Sequence, residues 1–341
     1  PRVADDIKVC RISTLLEPAG RIEGKPFRLK ENEGIAFQGC IALGMGFVIT
    51  PEEAHEWIAA DPRNAEVLFP YLNGQDLNSR PDASASRRVI DFGEMTETEA
   101  SSYKLPWQRV KAKVHPERIV KDAEKYPRMV NEWWKFWNAR PMLRGAITNL
   151  SEVLAITIVS KTVMPLRVPT GQVFSNALNI FATASYSDQA VLSSSLHQIW
   201  AIAYGSTLET RVRYTPSDVF ETFPLPCKRE NLFEIGRRLT ETRREIMQRR
   251  GMGLTALYNL INDQTLSESA DRDVDRLREI QIEIDSETAA SYGWGDIRMN
   301  HGFYSYKGQL RWSPCAAARA EILERLLMEN HRRATAEMRR D

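Results

Sequence analysis

The 341-residue chain lacks most of the features by which a sequence declares its class. It has four cysteines, Cys10, Cys40, Cys227 and Cys315, far apart and with no Cys-x-x-Cys pair. That excludes a zinc ribbon and a disulfide framework, and reads as reduced, partly buried thiols of a cytosolic protein. No apolar run approaches the roughly 18 residues of a membrane span. The start, Pro1-Arg2-Val3, has neither a Met nor a signal-peptide core, and reads as a fragment or a processed chain. There is no G-x-x-x-x-G-K-[ST] phosphate loop and no H-E-x-x-H. The five histidines are dispersed, without ligand spacing, so no metal site is expected. Gly39, Gly44 and Gly46 imitate a nucleotide loop but run into Phe47-Val48-Ile49, an apolar stretch better suited to strand turns. Glu23-Gly24-Lys25 has no acidic partner at nuclease spacing, and the Asn-Pro-Pro-Tyr loop that grips a flipped adenine in amino-methyltransferases is missing. No catalytic residues can be nominated.

What is present is the composition of an ordinary globular protein, 43% hydrophobic and 27% charged, which excludes disorder. The net charge of +1 conceals a pattern: residues 1–102 sum to −6, residues 103–227 to +6, and residues 228–341 to +1. A basic middle segment suits a polyanion, although a solvated face produces the same excess.

Up to residue 225 the chain shows short β-branched and aromatic runs, such as Phe47-Val48-Ile49, Arg88-Val89-Ile90-Asp91-Phe92, Ala155-Ile156-Thr157-Ile158-Val159 and Ala177-Leu178-Asn179-Ile180-Phe181. These predict strands. Thr50-Pro51-Glu52-Glu53 predicts a capped helix to about Ala60. Thr215-Pro216-Ser217-Asp218 predicts a short helical turn before Phe223-Pro224-Leu225-Pro226, whose prolines mark a boundary. Beyond it the period becomes helical over 229–250, over 273–291 and after Ser313-Pro314. The expected class is α+β: a mixed, β-rich domain over 1–226, then a smaller, mainly helical one over 227–341. Glu132-Trp133-Trp134-Lys135-Phe136-Trp137 predicts a buried helix packed on the sheet, with base stacking as the alternative.

Three groups of residues carry a resemblance. Phe69-Pro70-Tyr71-Leu72-Asn73-Gly74-Gln75-Asp76-Leu77-Asn78, Arg88 to Phe92 and Trp134 to Arg140 form the first. The stretch Arg213-Tyr214-Thr215-Pro216-Ser217-Asp218-Val219-Phe220-Glu221-Thr222-Phe223-Pro224-Leu225-Pro226 is the second. Tyr292-Gly293-Trp294-Gly295-Asp296 and Leu326 to Arg332 belong to the third. In order and spacing they resemble the target-recognition region and helical tail of the single-chain Mme-type (type IIL/IIG) restriction–modification enzymes and related adenine-specific DNA methyltransferases of phage-defence islands. The resemblance implies sequence-specific recognition of double-stranded DNA by the specificity half of a larger enzyme. The S-adenosylmethionine site and the catalytic methyltransferase domain, with or without a fused nuclease, would then lie N-terminal and outside this chain. On its own the chain would bind no cofactor, need no membrane, act in the cytoplasm and catalyse nothing. A protein-interaction module of a defence complex, without DNA contacts, is the alternative.

Glu209-Thr210-Arg211-Val212-Arg213 sets an acceptor and two guanidinium donors at alternate positions, on one face if extended. Such groups can read G·C or C·G edges, and the resemblance places base-reading residues just before Arg213-Tyr214-Thr215-Pro216. An ion-pair strip at the sheet edge is the competing account. Lys161, in the turn Ser160-Lys161-Thr162, and Asn176 are further base-reading candidates. Lys104, Arg109, Lys111 and Lys113 are candidates for phosphate contacts, or are simply solvated.

Overall fold

The computed structural model describes residues 2–4, 7–9, 24–208, 211–266, 270–306 and 308–339. It is 50% helix and 16% strand, so the class is α+β, with a β-rich region followed by a helical one. The main sheet is antiparallel, in the order Ala36–Gln38, Leu178–Phe181, Glu152–Thr157, Leu166–Pro169. Residues Val153 to Thr157 and Leu178 to Phe181 are all buried. That continuous burial means a sheet covered on both faces, and explains why these runs lack polar alternation. A second sheet takes the order Val173–Phe174, Leu68–Leu72, Arg87–Ile90, Val48–Ile49, with its first pair parallel.

The two sheets share chain. The segment that leaves the second sheet at Phe174 enters the main sheet at Leu178. It runs beside the end of Ala36–Gln38: Gly39 N–H donates to Leu178 O at 2.9 Å, and Cys40 N–H to Phe174 O at 2.7 Å. A Cβ on Gly39 would stand 2.2 Å from the Ser175 carbonyl oxygen, so only glycine permits this approach.

Two apolar clusters result. The larger joins sheet residues Leu154, Ile156 and Phe181 to Leu239, Ile284 and Leu326 from the later helices, so apolar packing runs through the Pro224–Pro226 region without a break. The smaller gathers Phe47, Ile49, Val89, Phe92, Val110 and the Trp133, Trp134, Phe136 group. The aromatic group is core, but it is not a helix: residues 132–134 form a turn and 135–137 an irregular bend. Arg118 is the physical reason. Its guanidinium is buried and donates to Trp133 O (2.9 Å) and Lys135 O (2.6 Å), taking two carbonyls that a helix would keep for itself, and also to Ala42 O (2.5 Å) and Leu43 O (2.9 Å).

The expected capped helix is Pro51–Ala60, with a reciprocal Thr50/Glu53 capping box. Helices Phe233–Arg250, Arg272–Ser291 and Ala316–Met338 follow the predicted periods. Two departures matter. Tyr186–Ser193 and Ser195–Tyr204 are helices buried on nearly all sides, so they carry little of the polar stripe that a helical period needs. Inside the helical region Gly302–Tyr306 and Gln309–Ser313 form an antiparallel hairpin.

The helix Ala316–Met338 clasps segments far from it in sequence. Asn330 accepts from Phe27 N–H (2.9 Å) and donates to Phe27 O (2.8 Å) and Thr222 O (2.7 Å), while Arg333 donates to Leu225 O at 2.6 Å. The segment 215–223 is a packing device: Val219, Phe220 and Phe223 are buried, Trp200 Nε1 donates to Thr222 Oγ1 (3.0 Å), and Asn32 Nδ2 donates to the Phe220 and Phe223 carbonyls. Next to it His197 is fully buried, its Nδ1 2.8 Å from Leu192 O and its Nε2 2.9 Å from Tyr214 Oη. A neutral ring donating from Nδ1 and accepting at Nε2 satisfies both contacts.

Two stability measurements check this architecture. Gly39→Ala should destabilise by about 2 kcal/mol or more in denaturant unfolding, because a backbone carbonyl blocks the new methyl. Gly145→Ala, in the helix Pro141–Ile147 with nothing within 4 Å of the new atom, should be neutral or slightly stabilising. Burial pushes the His197 pKa down to about 4. The unfolded chain then binds one more proton than the folded one between pH ~6.5 and ~4. Stability should be fullest above that window and fall within it, by at most a few kcal/mol. His197→Gln should start less stable yet lose less across the same pH range; equal slopes for the two proteins would contradict the assignment.

Candidate nucleic-acid interface

Arg211–Arg213 is the middle strand of a small antiparallel sheet, flanked by Ser206–Leu208 and Val159–Ser160. Val212 is buried and belongs to the larger cluster, whereas Arg213 is exposed and Arg211 partly so. Strand alternation therefore turns both guanidinium groups to the face opposite the core. Glu209, the expected acceptor, lies outside the described residues. The strand's exit is fixed at Tyr214. Its N–H donates to Ile158 O (2.7 Å), its carbonyl accepts from buried Asn179 Nδ2 (2.7 Å), and its phenol meets His197. Burial raises the phenol pKa well above its ordinary value, so it stays a donor.

Two turns join this edge. Ser160 pairs with Val212, and its Oγ accepts from Thr162 N–H at 2.9 Å, which folds Ser160-Lys161-Thr162 on itself and leaves Lys161 exposed. On the other side Ile158 N–H donates to Ala177 O at 2.9 Å, which brings in the turn that holds exposed Asn176. Gln38 Nε2 supports that turn through Asn176 O (2.9 Å), and Arg140 Nη2 holds Gln38 Oε1 at 2.8 Å. Arg140 sits in the left-handed region at φ +53°, an uncommon place for a side chain of this size. The structure thus brings Lys161, Asn176, Arg211 and Arg213 to one connected edge. Gln38 was not anticipated; nothing in its local sequence marks it, because the contact that matters spans 138 residues.

The phosphate candidates lie elsewhere. Lys104, Lys111 and Lys113 are exposed on the helix Lys104–Lys113, which packs through Val110 on the smaller cluster. Arg109 is on the same helix, but its Nη1 is 3.3 Å from Glu53 Oε1 and is already paired. The basic excess of residues 103–227 is not all surface. Arg118, Lys135 and Arg167 are buried, Arg144 is bonded to Asp91 at 2.6 Å, and Arg128 is paired with Glu94 and Glu132. Chemically, the connected edge offers guanidinium, ammonium and carboxamide groups, the donors and acceptors that match purine edges in a major groove. The lysine helix offers point charges without orientation, which suits phosphate.

Comparisons with known proteins bear on this arrangement. A family model described as "MmeI, target recognition domain" matches residues 32–227. Among solved structures, a chain from the structure of the Type IIL restriction-modification enzyme MmeI in complex with DNA superposes with a TM-score of 0.66 at 18% identity. The match covers 96% of this chain and 39% of that one, so the present chain spans well under half of that protein's length. At that identity the likeness speaks to the fold. No curated protein sequence matches.

Proposed function

The chain belongs to the MmeI target-recognition-domain family, and from that membership we propose that it reads a specific double-stranded DNA sequence as the specificity half of a restriction–modification enzyme. In this reading the parent methylates adenine N6, and the methyltransferase domain and its S-adenosylmethionine site lie outside the present chain. This chain supplies recognition and no chemistry. A methyltransferase must extrude its target base, so the site has to be identified by a separate surface that holds the duplex in register. Among the described residues no helix is long and apolar enough to cross a membrane.

One observation carries the proposal: Arg211 and Arg213 share the outward face of a strand whose middle residue is buried, and the neighbours of Lys161 and Asn176 join the same edge, Ser160 by pairing with Val212 and Ala177 by accepting from Ile158 N–H. Guanidinium groups there can meet guanine O6 and N7, and the Asn176 amide can meet adenine N6 and N7. Glu209, two residues before Arg211 in sequence, would accept from cytosine N4. Lys104, Lys111 and Lys113 would set register on phosphates, with Arg109 contributing only if it left Glu53. We assign recognition to residues 1–226 and bracing to residues 227–341. The apolar cluster common to both supports a rigid brace.

Duplex binding as a function of salt tests the reading. Affinity should fall steeply, with a log–log slope of about −0.9 for each phosphate engaged. A chain that binds no duplex at low salt would leave the protein-interaction alternative standing. Residue roles separate in a second measurement. Arg211→Ala should cost about 1–3 kcal/mol at one base position and relax preference there, whereas Lys111→Ala should weaken every sequence alike and lower the salt slope by about one phosphate. Uniform loss across base substitutions in the Arg211 variant would contradict its role in base reading.

A further inference from the structure

The hairpin of Gly302–Tyr306 and Gln309–Ser313 is far in sequence from the candidate edge, yet it reaches it. Arg311 Nη2 donates to the Lys161 carbonyl at 2.6 Å, across 150 residues, and also to Gln309 Oε1. The accepting carbonyl belongs to the middle residue of the turn Ser160-Lys161-Thr162, whose first residue pairs with Val212. The guanidinium therefore fixes the backbone from which the exposed Lys161 side chain projects, next to the strand that carries Arg211 and Arg213.

The hairpin is rigid enough to act as such a support. Arg278 packs against the edge-to-face pair Phe303 and Trp312, 4.9 and 5.1 Å from their ring centroids. It donates to the Ile261, Asp263 and Leu266 carbonyls. Trp312 N–H donates to Asn262 Oδ1 at 2.9 Å. Near the tip Arg319 stacks on Tyr306 at 4.7 Å and donates to Ser305 O at 3.2 Å. A strut held by two stacked arginines transmits position where a mobile loop would not.

We propose that Arg311 is a positioning residue for base recognition: through the Lys161 carbonyl it sets the Ser160–Thr162 turn against the reading strand, so the C-terminal hairpin forms part of the DNA-reading edge. The proposal rests on the reading that this edge contacts duplex DNA. Arg311 itself reads no base. It acts on the placement of Lys161, so its removal should alter the preference at the base that Lys161 faces while leaving the phosphate contacts intact.

The test is a selection by the 341-residue chain from short duplexes with a randomised centre, followed by sequencing. The wild type should enrich one motif. Arg311→Ala should lose about tenfold discrimination at one position of that motif, with low-salt affinity for the unselected pool and the thermal midpoint unchanged. Lys161→Ala should relax the same position, and Arg311→Lys, which keeps one donor for the carbonyl, should recover most of the preference. Should Arg311→Ala fail to fold, Arg311→Gln and Arg311→Lys decide the matter by the same readout. An unchanged motif in the Arg311 variants overturns the proposal, as does an equal loss at every position. If the wild type binds duplex but enriches nothing, or binds no duplex, the recognition reading itself falls and takes this proposal with it.

Discussion

The candidate edge depends on a buried phenol. Tyr214 cannot be buried with its hydroxyl unpaired, and His197 is the group that accepts it. The same residue spends its amide on Ile158 and its carbonyl on Asn179, so three hydrogen bonds fix the point where the candidate strand leaves its sheet. Once that point is fixed, strand alternation dictates that Val212 goes inward and its two neighbours outward. Moving the strand by one residue would bury two guanidinium groups and expose the valine, a costly exchange. The direction in which Arg211 and Arg213 point is thus set by groups that never leave the core.

The division of labour between clusters follows from the glycine joint. Because Gly39 lets two strands pass closer than side chains allow, one segment can serve both sheets, and the larger and smaller apolar clusters sit on a shared backbone. The oriented amides and guanidinium groups are built on the first, the lysine helix on the second.

Much of this was legible in the sequence, and the failures have physical causes. The capped helix at Pro51, the strands around 155 and 178 and the three long C-terminal helices follow from caps and periods that neighbours do not override. The tryptophan segment was correctly read as core and wrongly read as helix, since local spacing carries no sign that Arg118 will claim its carbonyls. The hairpin was missed although its signal was present: Phe303, Tyr304, Tyr306 and Trp312 flank Lys307-Gly308, an aromatic strand pair around a glycine turn. A helical period on either side hid it. The basic excess was counted correctly, but sequence cannot separate an arginine that faces solvent from one that binds carbonyls inside. Arg118 and Arg167 are of the second kind.

The clasp made by Asn330 has a consequence for the order of events in the cell. A ribosome delivers Phe27 well before Asn330, and the bonds between them span 303 residues. Contacts of such sequence separation form late, after the loop entropy has been met. The strand that carries Arg211 emerges long before the helix Ala316–Met338, and before the hairpin that touches Lys161. A nascent chain therefore holds its donors without the frame that aims them. Synthesis itself acts as a timer, and a product stalled before Asn330 lacks the clasp that this residue makes with Phe27 and Thr222.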